Sequence, residues 1–182
     1  MDAATASSSA ATPVSPRPYW WKTKDGDKHC LAVYRRHYSH RAYRDGRTVS
    51  QFVGPGEPFV LRNDPREPIE AVFVWRKFTD DCIDQRTGER QQGVNCAVFR
   101  NEGSARSSDL IRQADAIAFA CWPDRRHYTY VDPARVASEI PGYCFRRAGW
   151  KRCGVTKGGL LVLERLRKAT DQECLACAAV VK

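Results

Sequence analysis

The sequence predicts an α+β fold in which a mixed central sheet is flanked by helices. Helical and strand-like hydrophobic patterns alternate along the chain, and three strand-like segments are followed by a strand–helix–strand unit. Of the 182 residues, 42% are hydrophobic, which is enough to build a core. Residues 1–18 contain fourteen Ala, Ser, Thr or Pro and are predicted to be a disordered tail. The predicted folded domain therefore covers residues 19–168.

The first predicted element is a basic helix at 28–44. Leu31, Tyr34, Tyr38 and Ala42 recur there at helical spacing and form one apolar seam. A cluster of Gly and Pro at 54–58 separates this helix from the strands.

Strands and helices then follow in a definite order. Within the second strand, Val72 and Val74 alternate with their neighbours, which is typical of a strand. In chain order the predicted elements are strands at 59–62 and 70–78, a polar loop at 79–93, a strand at 94–100, a helix at 107–121, a short strand at 128–131, a short helix at 142–148, strands at 151–155 and 160–166, and a C-terminal helix at 169–182.

The net charge of +9 is concentrated in two segments. Residues 22–47 carry eight basic and three acidic groups, and residues 141–168 carry eight and one. The stretch between them, 59–140, is nearly balanced. This pattern indicates either a surface that faces a polyanion such as DNA, or only a basic soluble protein.

The eight cysteines favour reduced, buried thiols in a cytoplasmic protein. There is no signal segment and no apolar run long enough for a membrane span, so no membrane association is expected. Cys174 and Cys177 form a CxxC, but no second pair accompanies it. The capping box from Thr170 to Glu173 places both on the C-terminal helix rather than in a zinc site.

The loop from Arg100 to Ser108 leads from a strand to the start of a helix. Exposed backbone amides at a helix start, with Arg100 and Arg106 beside them, form a candidate anion site. Ser107 or Ser108 is the expected N-cap. The alternative is that the serines only cap the helix and the arginines are only solvated.

Two further clusters combine side chains suited to chemistry. His37, Tyr38 and His40 lie close together on the first helix, either as a solvated edge or as a general base or half of a metal site. Asp132 ends a short strand before Pro133 and is a base, a metal ligand or a turn former. Tyr143 is either a proton donor or a core tyrosine.

With the segment YCFRRAGWKRCG, which begins at Tyr143, this order of elements resembles the GNAT fold of acetyl-CoA-dependent acyltransferases. Within that superfamily the chain is similar to the Mom-type DNA-modification proteins of phages and related mobile elements. The matching residues over about 28–166 are His37, Tyr38, Arg100, Asn101, Ser107, Ser108, Asp132 and Tyr143.

The resemblance implies transfer of an acetamido or acyl-type group to the exocyclic amine of adenine in DNA, which protects phage DNA from restriction. Acetyl-CoA is the implied group donor, and a bound iron is implied with His37 and Asp132 as its candidate ligands. The implied catalytic set is His37, Tyr38, Ser108, Asp132 and Tyr143. The cofactor-binding set is Arg100, Asn101, Gly103, Arg106 and Ser107.

One departure concerns the pyrophosphate loop. GNAT enzymes usually carry a Q/R-x-x-G-x-G/A motif there, whereas the stretch NEGSARSS has only Gly103. Coenzyme A would then bind differently, or another donor would be used.

The basic segments supply the predicted DNA contacts, which are Arg35, Arg36, Arg146, Arg147 and Trp150. Tyr38 or Trp150 is expected to stack on a flipped base. Two alternatives to a DNA-modifying enzyme remain, a non-catalytic nucleic-acid-binding or antirestriction protein and a GNAT enzyme acting on a small amine.

Overall fold

The structure is a computed structural model that describes residues 20–40, 45, 50–52, 54, 56–64, 66, 68–77, 88 and 92–168. The predicted N-terminal tail and C-terminal helix lie outside the described residues, as does most of the predicted loop at 79–93. Within the described residues, no helix is long and apolar enough to cross a membrane.

Within the part of the chain that the structure describes, seven strands form one mixed sheet and three helices pack on it, which confirms the predicted α+β class with a mixed sheet. The strands are β1 (Trp21–Thr23), β2 (Glu57–Arg62), β3 (Ala71–Lys77), β4 (Val94–Asn101), β5 (His127–Val131), β6 (Lys151–Val155) and β7 (Leu161–Arg165). The helices are α1 (Lys28–Tyr34), α2 (Ser107–Cys121) and α3 (Tyr143–Arg147).

The strand order is β1-β2-β3-β4-β5-β7-β6. The first four strands are antiparallel neighbours, and β5, β7 and β6 form a second antiparallel group. The two groups meet at β4 and β5, which are parallel because α2 carries the chain back along the sheet. This junction is the only parallel pairing among the described strands.

Helices cover both faces of the sheet. Val72 and Val74 of β3 pack in one cluster with Leu31 and Val33 of α1. The opposite face of β3 packs in a second cluster with α2 and α3. Every residue from Ala71 to Trp75 is therefore buried.

The first helix is shorter than predicted. Asp27 caps it by accepting hydrogen bonds from the amides of His29 and Cys30, both at 3.0 Å. The helix ends at Tyr34, because the following amides bond three residues back, as in His37 N–H to Tyr34 C=O at 2.8 Å. His37 and Tyr38 therefore lie on a turn and not on a helix face.

Two other differences concern element starts. Strand β1 was not predicted, because three residues are too few to show an alternating pattern. Helix α2 begins at Ser107, but its N-cap is Arg106, and no side chain caps it. The expected capping role of Ser107 or Ser108 is wrong.

Candidate functional site

Strands β4 and β5 pair over only three residue pairs, from Val94–His127 to Cys96–Thr129. Beyond Cys96, β4 pairs only with β3, and beyond Thr129, β5 pairs only with β7. The ends of the two strands are therefore left without a common ladder, and a cavity of about 820 Å³ opens between them.

This cavity gathers residues from five parts of the chain. Most come from the turn after α1, from β4, from the end of β5, from the segment between β5 and α3, and from α3 itself, to which Leu160 before β7 is added. Among the residues predicted as functional, it is lined by Arg36, His37, Tyr38, Arg100, Asn101 and Asp132.

Tyr38 is held over the gap between the strands. The backbone N–H of Asp132 lies within hydrogen-bond reach of the phenol oxygen. Burial raises the pKa of Tyr38, and this outweighs the lowering effect of that hydrogen bond. The phenol is therefore protonated at neutral pH, and its O–H is available to donate to a group in the cavity.

His37 is neutral and already engaged. Burial lowers the pKa of His37 to about 4, and the charges of Arg100 and Arg135 act in the same direction. Its Nδ1 accepts a hydrogen bond from the Ser39 N–H at 3.2 Å and lies 2.7 Å from the Ser39 hydroxyl. The backbone of Phe99 is also within hydrogen-bond reach of the ring. The geometry makes His37 a support for Tyr38, whose ring centroid is 4.3 Å away, rather than a free base.

Asp132 lies where β5 ends. Its Oδ1 accepts a hydrogen bond from the Ala134 N–H at 3.0 Å, which closes a turn before the chain leaves the sheet. Its second carboxylate oxygen has no hydrogen-bond partner among the described residues. Asp132 therefore serves both as a turn former and as a carboxylate on the cavity wall.

Arg36 and Arg100 share one carboxylate. The Nε atoms of Arg36 and Arg100 donate to Glu102 at 2.8 and 2.6 Å. These two arginines lower the pKa of Glu102 to about 2. Glu102, which sequence reasoning did not single out, therefore neutralises part of the charge expected to face DNA or a cofactor.

The loop after β4 is braced from within. Asn101 accepts a hydrogen bond from the Gly103 N–H at 3.1 Å, and its amide donates to Ala105 C=O at 2.6 Å and to Ser107 Oγ at 3.1 Å. The side chain of Asn101, the amide of Gly103 and the hydroxyl of Ser107 therefore form hydrogen bonds within the loop. Gly103 also lies against the side chain of Glu70, which a Cβ atom would strike.

Three predicted roles do not match the positions of their residues. Trp150 is 3% exposed and donates from Nε1 to Asp115 at 2.8 Å, so its predicted contact with DNA is wrong. Ser108 is 6% exposed in the first turn of α2 and does not line the cavity, so the predicted catalytic role is wrong. Tyr143 is 51% exposed and is not among the cavity-lining residues, although its neighbours Gly142 and Cys144 are.

The remaining predicted contacts lie on the surface. Arg35, Arg106, Arg146 and Arg147 are exposed. No carboxylate among the described residues pairs with them.

The residues on the cavity wall do not fit the implied iron. The described part of the chain contains no group of three or more His, Cys, Asp or Glu side chains that could hold a metal ion. His37 is also turned to Ser39 through Nδ1. We therefore derive no step through iron.

The polar cavity residues that the sequence did not single out include Ser39, Cys96, Thr129 and Arg135. Ser39 orients His37, and the Thr129 hydroxyl donates to Cys96 C=O at 2.9 Å across the last paired rung. The only available signal was their position next to predicted site residues or at a strand end.

Comparisons with protein-family models, with curated proteins and with solved structures found no match to this chain.

Proposed function

We propose that the protein is a GNAT-like transferase that moves an acyl-type group from an acyl-thioester donor to the exocyclic amine of adenine in DNA. The observation that carries this proposal is the gap between β4 and β5, because its cavity of about 820 Å³ combines a half-buried phenol with a carboxylate. The net charge of +9 favours a polyanionic acceptor.

The reaction forms a C–N bond to the donor carbonyl and breaks the C–S bond of the thioester. The adenine amine is a weak nucleophile, so it must be positioned and must lose a proton. We assign that proton to the free carboxylate oxygen of Asp132. The Tyr38 O–H, beside the Asp132 backbone, donates to the developing negative charge and gives its proton to the leaving thiolate. The proton taken up by Asp132 then returns to the phenolate, so that both groups are restored.

Acetyl-CoA fits the site only in part. The first-turn amides of α2 point out of the helix and suit a phosphate, and Arg106 lies beside them. Gly103 is a poorer partner, because its amide is bonded to Asn101 and the Glu70 side chain packs on it. Phosphate binding in this proposal therefore relies on Ser107, Ser108 and Arg106, and Arg106→Glu should weaken acetyl-CoA binding in calorimetry.

The decisive experiment is mass analysis of nucleosides from the DNA of cells that express the protein. Wild type should yield a new deoxyadenosine derivative. Tyr38→Phe and Asp132→Ala should each reduce it by about 100-fold or more, the scale of a lost general acid or base. Tyr34→Phe in the buried cluster under α1 and Asp124→Ala on the surface control for removal of a tyrosine hydroxyl and a carboxylate. No new nucleoside from the wild type would refute the proposal.

A second candidate is a non-catalytic DNA-binding protein, which the unpaired surface arginines Arg35, Arg146 and Arg147 favour. It predicts salt-dependent DNA binding without any new nucleoside. A transferase acting on a small amine predicts the reverse, namely acyl transfer in solution without DNA affinity.

A further inference from the structure

Residues 132–143 connect β5 to the first residue of α3 and form one wall of the cavity. This segment is called the lip below. Its Arg135, Val136, Ala137 and Ser138 line the cavity. The lip also carries two large exposed side chains, Ile140 at 46% and Tyr143 at 51%. Among the described residues only Val155 and Leu166 are comparable exposed hydrophobics, so half of this set lies on one short segment at the cavity.

Tyr143 is held in this place by local geometry. Gly142 precedes it with a φ of +75°, and a Cβ there would come within 2.6 Å of Leu163 Cδ1. Only glycine fits this position without strain. The start of α3 is therefore fixed against the sheet while the Tyr143 side chain stays in solvent.

Among the described residues that line the cavity, Arg135 is the one arginine that pairs with no carboxylate of the described part of the chain. The other two lining arginines, Arg36 and Arg100, are bound to Glu102. No carboxylate in the described part of the chain pairs with Arg135, which is exposed. Its charge nevertheless reaches His37 and Tyr38 inside the cavity. An anion at the cavity mouth would meet this guanidinium first.

We propose that the lip binds a nucleotide that has left the base stack. Tyr143 stacks on the base of this nucleotide, and Arg135 binds its phosphate. Ile140 fills the space that the base leaves in the stack. A free aromatic ring, an aliphatic wedge and an unpaired arginine are the groups that proteins use for unstacked nucleotides. This inference rests on the proposed function and specifies the form in which its substrate is presented.

A protein partner fits this surface less well. Two exposed side chains on one segment are far smaller than the area that a stable protein interface buries. A phosphodiester group, by contrast, would form an ion pair with Arg135 on the same segment.

The first experiment measures binding of a fluorescein-labelled single-stranded DNA oligonucleotide by anisotropy at fixed salt. Tyr143→Ser should weaken binding by about ten-fold, the scale of one lost base stack. Tyr143→Phe should bind like the wild type, because stacking needs the ring and not the hydroxyl. Leu166→Ser, an equally exposed side chain at the other end of β7, is the matched control and should bind normally.

Arg135→Gln tests the phosphate contact in the same assay. It should make the dependence of log affinity on log salt shallower by about 0.7, as expected for one phosphate contact on single-stranded DNA. Arg125→Gln, an exposed arginine at the other end of β5, should leave the slope unchanged.

The second experiment uses a duplex with 2-aminopurine in place of one adenine, since its fluorescence rises on unstacking. Wild type should raise the fluorescence, and Ile140→Ser should reduce that rise by about half or more. Unchanged binding by Tyr143→Ser and Arg135→Gln, or no oligonucleotide binding by the wild type, would overturn the lip proposal. Wild type that binds and unstacks DNA but makes no new nucleoside would refute the enzyme while leaving the lip in place.

Discussion

At the scale of single residues, His37 lies in the candidate site as a ring packed on Tyr38 and hydrogen-bonded to Ser39. Its imidazole is half-buried between two arginines and bonded to Ser39, and these surroundings favour the neutral ring. A neutral ring packed on Tyr38 keeps the phenol over the gap between the strands. Protonation would place a third positive charge beside Arg100 and Arg135.

The neutral state of His37 predicts a loss of stability in acid. Its folded pKa of about 4 lies below the unfolded value of about 6.5, so the unfolded chain binds more protons between these values. Stability is therefore present above about pH 6.5 and falls as the pH drops toward 4. We expect His37→Gln to lose less stability than wild type between pH 6.5 and pH 4.5, as measured by denaturant unfolding.

Two features make this measurement specific. Glu102, whose pKa is about 2, acts in a lower window, because its stabilisation is lost only as the pH falls below about 4.5. The comparison of wild type with His37→Gln also cancels the titration of every group that the two proteins share. Equal acid sensitivity in wild type and His37→Gln would contradict the buried neutral ring.

At the scale of elements, the loop after β4 depends on one asparagine. Asn101 holds three groups of the loop, whereas Asn63 accepts from the amides of Glu70 and Ala71 beside β3 at 3.0 and 2.8 Å. We expect Asn101→Ala and Asn63→Ala each to lower the free energy of unfolding by about 1 kcal/mol, because exposed or partly buried backbone groups lose hydrogen bonds that hold them in place.

The two asparagine variants should differ at the site. Only Asn101→Ala should also weaken acetyl-CoA binding in calorimetry, since only that loop leads into α2. Equal affinities in both variants would mean that the braced loop does not form part of the donor site.

Regular elements with a clear hydrophobic period could be predicted from the sequence. The strands β2, β4, β6 and β7 and the helix α2 lie within a few residues of their predicted positions. The helical spacing of Leu31, Tyr34 and Tyr38 continues past the true end of α1, because periodicity does not register the change to three-residue hydrogen bonds.

The convergence of His37, Tyr38 and Asp132 on one cavity agrees with their selection from the sequence. What could not be predicted is where β4 and β5 separate, since this depends on pairing between residues about 33 apart. Trp150 was misassigned for the same reason, because its partner Asp115 lies 35 residues earlier.

At the scale of the whole molecule, a buried polar cluster connects helix α2 to the sheet. Asp115 of α2 accepts hydrogen bonds from His127 Nδ1 of β5 at 2.7 Å and from Trp150 Nε1 at 2.8 Å, and Arg165 of β7 lies 3.6 Å away. His127 is fully buried and stacks on Phe119 with ring centroids 3.8 Å apart. One carboxylate therefore connects a helix to two strands and to the residue before β6.

Removing that carboxylate should be costly. We expect Asp115→Ala to lower the free energy of unfolding by about 3–5 kcal/mol, because it leaves the buried His127 and Trp150 donors without their acceptor and removes the anion beside Arg165. Asp109→Ala, which removes an exposed pair with Arg112 on the same helix, should cost no more than about 1 kcal/mol. Similar losses in denaturant unfolding would show that the cluster does not support the fold.

Part of the positive charge of the molecule is neutralised by internal ion pairs. Arg36 and Arg100 are bound to Glu102, and Lys77 lies 3.4 Å from Glu57. Arg146 and Arg147, in the last turn of α3, are exposed and have no carboxylate partner among the described residues. Of the arginines predicted to contact DNA, the unpaired ones should therefore contribute more than Arg36.

Duplex DNA binding should accordingly depend steeply on salt, with log affinity falling by about 0.9 per phosphate contact for each unit of log salt concentration. Replacing both Arg146 and Arg147 by Gln should make that slope shallower by about 1.8, the contribution of two phosphate contacts, because fewer counterions are released on binding. Lys77→Gln removes a charge that Glu57 already neutralises and should leave the slope unchanged. A salt titration that is flat for the wild type between low and physiological ionic strength would remove DNA as the partner. Equal slopes for the wild type and the double variant would instead place the DNA away from α3.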